Sequence, residues 1–490
     1  MKRPSFNLSG KKIGTMFFQP MDGFFNLILG PALFLLMLLL LPDPYFTLSA
    51  KGAIGTVVWM AFWWITRPVH IGITGLIPVV VNSLFGFVPV GKILVNYADP
   101  IIVLLIGADM ITVTWVTWGL DRRIALRSLG LIGTTIKQQI TAWFLVSLVL
   151  TMFLPNTVVV AILTPVAISM MKYVGMNDIS RSQAAAAILL SVAWGAGLGG
   201  FGSPLGGAMN LIVITYIEDM IIGREYMFIT WVTRLLPMLV LVSSAVLAYM
   251  LSFRFEIDPL AGTKAFFVNE YRKLPPITRG EKLGLTLFIA ASILSFARPI
   301  FSGLLPEFKP AFVFLFCGVL TFMLPGNEGK RLSSWEVASP RMMWGLYFLF
   351  AGGIAIGDFI TLSGAGDAIA QILTAQNLEG GLFTIAIFVV SGILLSNISS
   401  NTAACAILTP IVISVIQNLG QNPVPYVYIT LAASNCAFVL PTSVRAIPVG
   451  YGLDPRIMFK KGLWAVFISF VVVTLSGYLF TYYWEAFSMA

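Results

Sequence analysis

Two asparagine–threonine pairs, Asn156-Thr157 and Asn401-Thr402, hold most of the chemistry this chain of 490 residues offers. An asparagine amide supplies two N–H donors and a threonine one hydroxyl, so each pair suits a carboxylate that must trade its water for protein inside an apolar medium. A helix starting just after each pair would add unpaired backbone N–H groups and a partial positive end, the usual place for an anion. Two such tips facing each other suit a small molecule with a carboxylate at either end, and neutral donors release it again. The same loops carry carbonyl and hydroxyl oxygens, the ligand set for Na⁺ in membrane proteins with discontinuous helices. A plainer role for Asn156 and Asn401 is to cap the helices that follow; the two roles are compatible.

The pairs recur because the segment around them is written twice. Asn156-Thr157 leads to Ile162-Leu163-Thr164-Pro165, and Asn401-Thr402 leads to Ile407-Leu408-Thr409-Pro410, in the same register. This is an internal duplication. Each copy has an apolar arm, a short polar break and a second apolar arm. In hydrocarbon such a break leaves backbone groups unpaired unless it is buried in protein or lines a wet cavity. Two broken segments in corresponding halves of an apolar chain point to a transporter's binding site. Cys405, Thr164 and Thr409 read as packing residues.

Composition sets the medium. With 58% hydrophobic and 10% charged residues and a mean hydropathy of +0.90, the chain is an all-α polytopic membrane protein, since soluble proteins carry about 25% charge. The net charge of +9 sits in short connections between apolar runs, which speaks for membrane orientation and against nucleic-acid binding. Cys317, Cys405, Cys436 and the lone His70 form neither a disulfide framework nor a metal cluster. No cofactor is expected, sodium being the one candidate ion. No nucleophile, base and metal constellation suggests an enzyme, and a channel is the remaining rival to a carrier.

Apolar runs long enough to span fall near 24–41, 51–66, 71–90, 100–119, 184–222, 228–252, 283–300, 311–325, 342–362, 426–449 and 462–484. The duplicated segments, about 138–172 and 380–418, read as re-entrant hairpins. With a cytoplasmic N-terminus (1–23), Arg122, Arg123, Arg127, Lys137, the charged linker 253–282, Lys330, Arg331, Arg341, Arg456, Lys460 and Lys461 all fall inside, and the C-terminus outside. That follows the positive-inside bias. The linker divides a first half (24–252) from a second (283–490). An odd number of crossings separates the two tips, so the repeat is inverted and its tips can meet at the midplane.

Each hairpin precedes a run dense in Gly or Pro: Gly195 to Asn210, including Gly206 and Gly207, and Leu440 to Pro448, including Ser443, Val444 and Arg445. Such density unwinds a helix, placing each unwound centre beside its tip; close helix packing is the other use of the first run. Charges inside apolar runs are binding or gating candidates. Asp109 and Asp358 read as partners of interior cations, Arg234 and Arg298 as snorkelling ends, His70 as structural, and Arg445 as facing the site.

On the paired tips, on Trp64-Ile65-Thr66-Arg67-Pro68 leading to Thr74-Gly75-Leu76-Ile77-Pro78, and on Gly202-Ser203-Pro204-Leu205-Gly206, the chain resembles the divalent anion–sodium symporter (DASS) superfamily over nearly its whole length. The resemblance implies a plasma-membrane homodimer of eleven-helix protomers with scaffold and transport domains, working by an elevator motion on small dicarboxylates such as succinate, malate, fumarate or 2-oxoglutarate. It assigns Asn156, Thr157, Ser400, Asn401 and Thr402 to the substrate, with Pro155, Gly207, Val444 and Arg445 beside them. Thr151, Asn156 and Gly206 correspond to one sodium site, and Ser396, Ser399, Asn401 and Ser443 to the other.

The chain departs from the family pattern in three places. Pro155 replaces a serine at the first tip, removing a hydroxyl ligand. Val444-Arg445-Ala446 stands where symporters show Thr-Pro-Pro, and Arg67 where the family often has Glu. A fixed cation at Arg445 in place of a bound Na⁺ favours exchange of one dicarboxylate for another, with sodium symport of a dicarboxylate or citrate as the alternative.

Overall fold

Apolar runs with few polar side chains form helices here because hydrocarbon offers the backbone no other partner, and capping residues mark several starts. Thr135 with Gln138 and Thr278 with Glu281 form capping boxes, and Thr47, Ser182 and Ser400 each accept a backbone N–H of the first turn. The computed structural model describes residues 23–129, 133, 135–176, 178–180, 182–255, 262–327, 329–368, 379–441 and 443–489. The N-terminal segment before Gly23, with Lys2, Arg3, Lys11 and Lys12, lies outside them, as do Glu256 and Asp258 of the linker and the Ser443 side chain.

The first group of helices comprises α1 (Gly23–Leu40), α2 (Leu48–Thr66), α3 (Ile71–Thr74), α4 (Ile77–Phe85), α5 (Val90–Leu94), α6 (Pro100–Trp118) and α7 (Leu120–Leu129). The first duplicated segment is α8 (Ile136–Thr151) and α9 (Asn156–Tyr173), followed by α10 (Gln183–Gly199), α11 (Ala208–Ile217) and α12 (Phe228–Leu251). Next come α13 (Thr263–Arg272), α14 (Arg279–Phe296), α15 (Arg298–Phe301), α16 (Pro310–Met323), α17 (Trp335–Ala338) and α18 (Trp344–Leu362). The second duplicated segment is α19 (Leu382–Ile398) and α20 (Asn401–Asn418), followed by α21 (Val424–Ser434), α22 (Ala446–Gly450) and α23 (Pro455–Tyr483).

The chain is an all-α polytopic membrane protein: seven stretches among the described residues are long and apolar enough to cross a bilayer. Large apolar side chains such as Leu39, Ile300 and Tyr483 stand 77–87% exposed on the outside, a surface suited to lipid. Two features add detail to the sequence reading. The run 71–90 is two helices, because Gly75 comes so close to α18 that a Cβ would lie 2.1 Å from the Phe348 carbonyl oxygen. The linker 253–282 contains a helix, α13, which packs on α7 and is tied there by Arg122–Glu270 (3.1 Å), with Arg123–Glu281 (2.5 Å) fixing the start of α14 beside it.

Packing of the duplicated parts builds the centre. In each half the first arm packs along the next helix, α8 on α10 and α19 on α21, and the continuation of that helix crosses to the other half. Thus α11 packs on α20, and α22 on α9. Gly195 and Gly199 permit the first contact, since Cβ atoms there would lie 2.4 and 2.1 Å from the carbonyl oxygens of Phe144 and Leu148. Both sequence readings of the glycine run therefore hold, close packing up to Gly199 and an unwound stretch beyond it.

Candidate functional site

The first tip is a tight turn between α8 and α9. Leu154 N–H still bonds Leu150 C=O at 2.9 Å, and Pro155 then takes an extended ψ of 132° at the cap position. A proline there has no side-chain acceptor, so the leading amides of Asn156 and Thr157 are helix-end donors. Ser203 of the unwound stretch braces the turn from behind, its Oγ donating to Met152 C=O. Asn210 holds that stretch in shape, donating Nδ2–H to Gly200 C=O and Ser203 C=O at 2.7 Å each.

At the second tip the cap is Ser400, whose Oγ accepts Ala403 N–H at 3.2 Å. Neither Asn156 nor Asn401 occupies its cap position; both are the first residue of their helix. Capping therefore does not account for Asn401. Its Nδ2–H goes instead to Asn435 Oδ1 at 3.0 Å, and Asn435 donates in turn to Leu431 C=O at 2.9 Å. Asn397 ties the same tip to the second unwound stretch by accepting Val439 N–H at 3.0 Å.

The two tips converge on Gly200. From the point where a Cβ of Gly200 would sit, Asn156 Nδ2 is 3.5 Å away and Asn435 Oδ1 3.4 Å. Asn435 thus stands between the two tip asparagines, with no exposure at all.

A cavity of about 660 Å³ opens in front of this junction. Pro155, Asn156, Thr157, Gly207, Ser400, Asn401, Thr402 and Val444 line it, which brings together eight of the nine residues expected around a substrate. Arg445 is the exception: it is 1% exposed and lies behind Val444. Its guanidinium is drawn inward by carbonyl acceptors, Nε–H to Leu440 and Nη2–H to Ser396, both at 3.3 Å. The rest of the lining comes largely from α2, α6 and α18 and the connections beside them, with Trp64, Arg67, His70, Asp109 and Tyr347. Asp109 Oδ2 accepts Met343 N–H at 2.9 Å and Tyr347 Oη–H at 2.6 Å, and Asp358 accepts Asn96 Nδ2–H at 2.8 Å. Their hydrogen-bond partners are neutral donors, not the interior cations expected. Arg298 does not snorkel; it is 2% exposed and paired with Glu225 at 2.9 Å.

The residues expected around sodium divide between the tips. At the first, the carbonyl oxygens of Thr151 and Gly200 crowd the α-carbon of Gly206, 2.5 and 2.7 Å from its absent Cβ. Asn210 Oδ1 is buried and finds no hydrogen-bond donor among the described residues, the kind of oxygen a cation can satisfy. At the second, the hydroxyls of Ser396 and Ser399 bond the carbonyls of Ile393 and Leu395, and the Ser396 carbonyl receives Arg445. No cluster of His, Cys, Asp and Glu among the described residues could hold a metal ion.

Sequence reasoning missed Asn435, Asn210 and Asn397, the three buried amides that hold tips and unwound stretches together. Each is a polar side chain inside an apolar run, a signal of interior function or packing in a membrane protein. Nothing in their spacing says which tip each would meet.

Residues 61–433 match the family described as citrate transporter (CitMHS). The chain is 28% identical over 473 residues to the sodium-dependent dicarboxylate transporter SdcS of Staphylococcus saprophyticus, covering 92% of this chain and 90% of the relative. Its counterpart in Staphylococcus aureus strain NCTC 8325 is 26% identical over the same coverage. Among solved structures, the YdaH transporter of Alcanivorax borkumensis superposes with a TM-score of 0.56 at 15% identity, over 83% of this chain and 90% of that one. That last likeness is one of fold.

Proposed function

The chain belongs to the citrate transporter family within the DASS superfamily, and on that premise we propose that it is a secondary carrier of C4–C5 dicarboxylates coupled to sodium. One observation carries the reading: the tips Asn156-Thr157 and Ser400-Asn401-Thr402 line one cavity from two duplicated hairpins. Each tip contributes a helix start and neutral donors, so a molecule with a carboxylate at both ends is complementary to the pair. The name of the staphylococcal relatives, sodium-dependent dicarboxylate transporter, supports both substrate class and coupling ion.

Sodium as co-substrate fits the first tip, where the carbonyls of Thr151 and Gly200 and the Asn210 Oδ1 supply oxygens despite Pro155. At the second tip Arg445 takes the Ser396 carbonyl, so a fixed guanidinium stands where a second ion would bind. That contact supports a second reading, exchange of one dicarboxylate for another, in which the protein's own charge replaces sodium. Counterflow of labelled succinate in proteoliposomes separates them. Uptake into empty vesicles driven by a sodium gradient supports symport. Uptake that needs internal dicarboxylate and ignores sodium supports exchange, and single-channel current without counterflow defeats both.

The surrounding architecture is proposed with it. Eleven crossings (α1, α2, α3 with α4, α6, α10 with α11, α12, α14, α16, α18, α21 with α22, and α23) leave α8–α9 and α19–α20 as re-entrant hairpins of opposite entry. By length and apolarity alone α9 and α20 also qualify as spans. Their starts at a polar cavity support the re-entrant reading, because a tip at mid-depth needs a wet or protein-lined place to end. The plasma-membrane location, cytoplasmic N-terminus, homodimer and elevator motion rest on the loop charges and the family resemblance.

A further inference from the structure

The cavity that the tips line also carries a cation with no counter-ion among the described residues. Arg67 lines the cavity, and its side chain has no hydrogen bond or ion pair among the described residues. Asp109, the one acidic residue among the described residues that line the cavity, is occupied by Met343 and Tyr347. The buried Arg445, next to the lining residue Val444, is within electrostatic reach of Arg67, so a second positive charge adds to the attraction for an anion near Arg67. Three residues on, His70 Nδ1 accepts Gly72 N–H, which leaves the ring proton on Nε2 as a second donor in this part of the lining.

The backbone supplies an independent sign. Arg67 is the one non-glycine residue with positive φ (51°, ψ 48°) among the described residues. It ends α2 in the left-handed cap conformation, N–H to Trp63 C=O at 2.8 Å. Glycine is the usual residue there, and the position before Pro68 ordinarily favours extended backbone. Strain of this kind persists where the surrounding structure or a function requires the side chain.

We propose that Arg67 is the cation of a further anion subsite, in the cavity that the tips line, that receives a carboxylate the tips do not hold. The inference rests on the carrier reading above and deepens it. Asn156 and Asn401 grip the two carboxylates of a dicarboxylate, and a third carboxylate on the same carbon frame turns toward Arg67. The charge-assisted bond it makes there sets the preference between tricarboxylates and dicarboxylates.

Arg67→Gly tests this without endangering the fold, because glycine adopts the left-handed cap freely. Two measurements are made on wild type and R67G: citrate competition against labelled succinate uptake in proteoliposomes, and the thermal shift of the detergent-solubilised protein with citrate and with succinate. In R67G the inhibition constant of citrate rises at least about tenfold and its thermal shift disappears, while the succinate KM moves less than about threefold. The unliganded unfolding midpoint stays level or rises, and Arg67→Lys recovers part of the citrate effect. Equal weakening of both acids, an R67G protein that citrate inhibits and stabilises as well as wild type, or a wild type indifferent to citrate overturns the subsite. If wild type carries no succinate, the carrier reading fails, and the citrate shift in the two proteins still decides the role of Arg67.

Discussion

Asn435 Oδ1 accepts the Nδ2–H of Asn401 at 3.0 Å across 34 residues of chain. Because Asn435 spends its own Nδ2–H on Leu431 C=O, its oxygen must face Asn401, and the Asn401 amide is thereby oriented. One N–H of Asn401 remains for a substrate carboxylate, and its Oδ1 for a cation. The same Asn435 oxygen lies beside Asn156 at Gly200, so one buried amide sets the relation between the two tips.

Replacing either tip asparagine by alanine removes an amide donor that a bound anion would use, and Asn401→Ala also takes from Asn435 Oδ1 its donor. A hydrogen bond to a charged group is worth about 1.5–3 kcal/mol, and the expected loss is therefore roughly tenfold to a hundredfold in uptake efficiency for each variant. Expression should remain as in wild type, since Ser400 and Pro155, not the asparagines, occupy the cap positions; the unfolding midpoint should hold in Asn156→Ala and fall in Asn401→Ala, which strands the buried Asn435 Oδ1. Succinate uptake with unchanged KM in either variant removes the tips from the binding site.

Asn435→Leu keeps the volume but strands a donor of Asn401 in a buried place, at a cost of about 1–3 kcal/mol. The unfolding midpoint should fall, and the succinate KM should rise in company with that of Asn401→Ala. Combining the two substitutions should cost less than the sum of the singles, because the same bond is lost once. Full additivity in that double-mutant cycle means the contact does not couple them.

Alanine at the glycines of α10 distinguishes packing from unwinding. Gly199→Ala and Gly195→Ala place a methyl within 2.1 and 2.4 Å of backbone oxygens of α8, and backbone cannot give way as a side chain can. Both should yield little monodisperse protein. Gly197→Ala, on the same helix with nothing nearer than the Asn435 carbonyl oxygen at 3.9 Å, should fold normally. Equal yields from all three variants would contradict the α8–α10 contact.

Removing Arg445 empties the carbonyls of Ser396 and Leu440 of their donor. Arg445→Ala should either abolish succinate transport or steepen its dependence on sodium as an ion fills the vacated charge, read as a Hill coefficient against sodium concentration. Transport with an unaltered sodium profile rules out the ion-replacing role.

Much of this was legible from residues alone. The duplication, the helical breaks at residues 152–155 and 399–400, and an unwound run in each half follow from local rules, polar residues and Gly or Pro interrupting apolar runs; in the second half the helix ends at Ser434, ahead of the run 440–448 that marks the unwinding in the sequence. The donors of Asn156, Thr157, Asn401 and Thr402 were legible in the same way, whereas Gly207 and Val444 came from the family resemblance; all six line the cavity. Arg445 departs from expectation because a guanidinium that finds carbonyl acceptors behind the wall has no reason to project through it. Asp109 and Asp358 depart because hydrogen-bond donors from tyrosine, backbone or asparagine were near enough to serve, and pattern reasoning looks for opposite charge.

By itself the sequence determined that the protein lies in a membrane, that its helices break twice in matched places, and that amide and hydroxyl donors mark those breaks. These are consequences of composition and of spacing within about 20 residues. Only the tertiary structure decided that Asn435 joins the tips, that Asn210 braces the first unwound stretch, and that Arg67 lines the same cavity as both tips. Those relations join residues from seven to more than three hundred positions apart, and the long-range ones depend on packing such as α11 on α20 and α22 on α9. Side-chain hydrogen bonding is short-ranged, so which buried amide meets which tip is set by how helices pack and by nothing the local pattern contains.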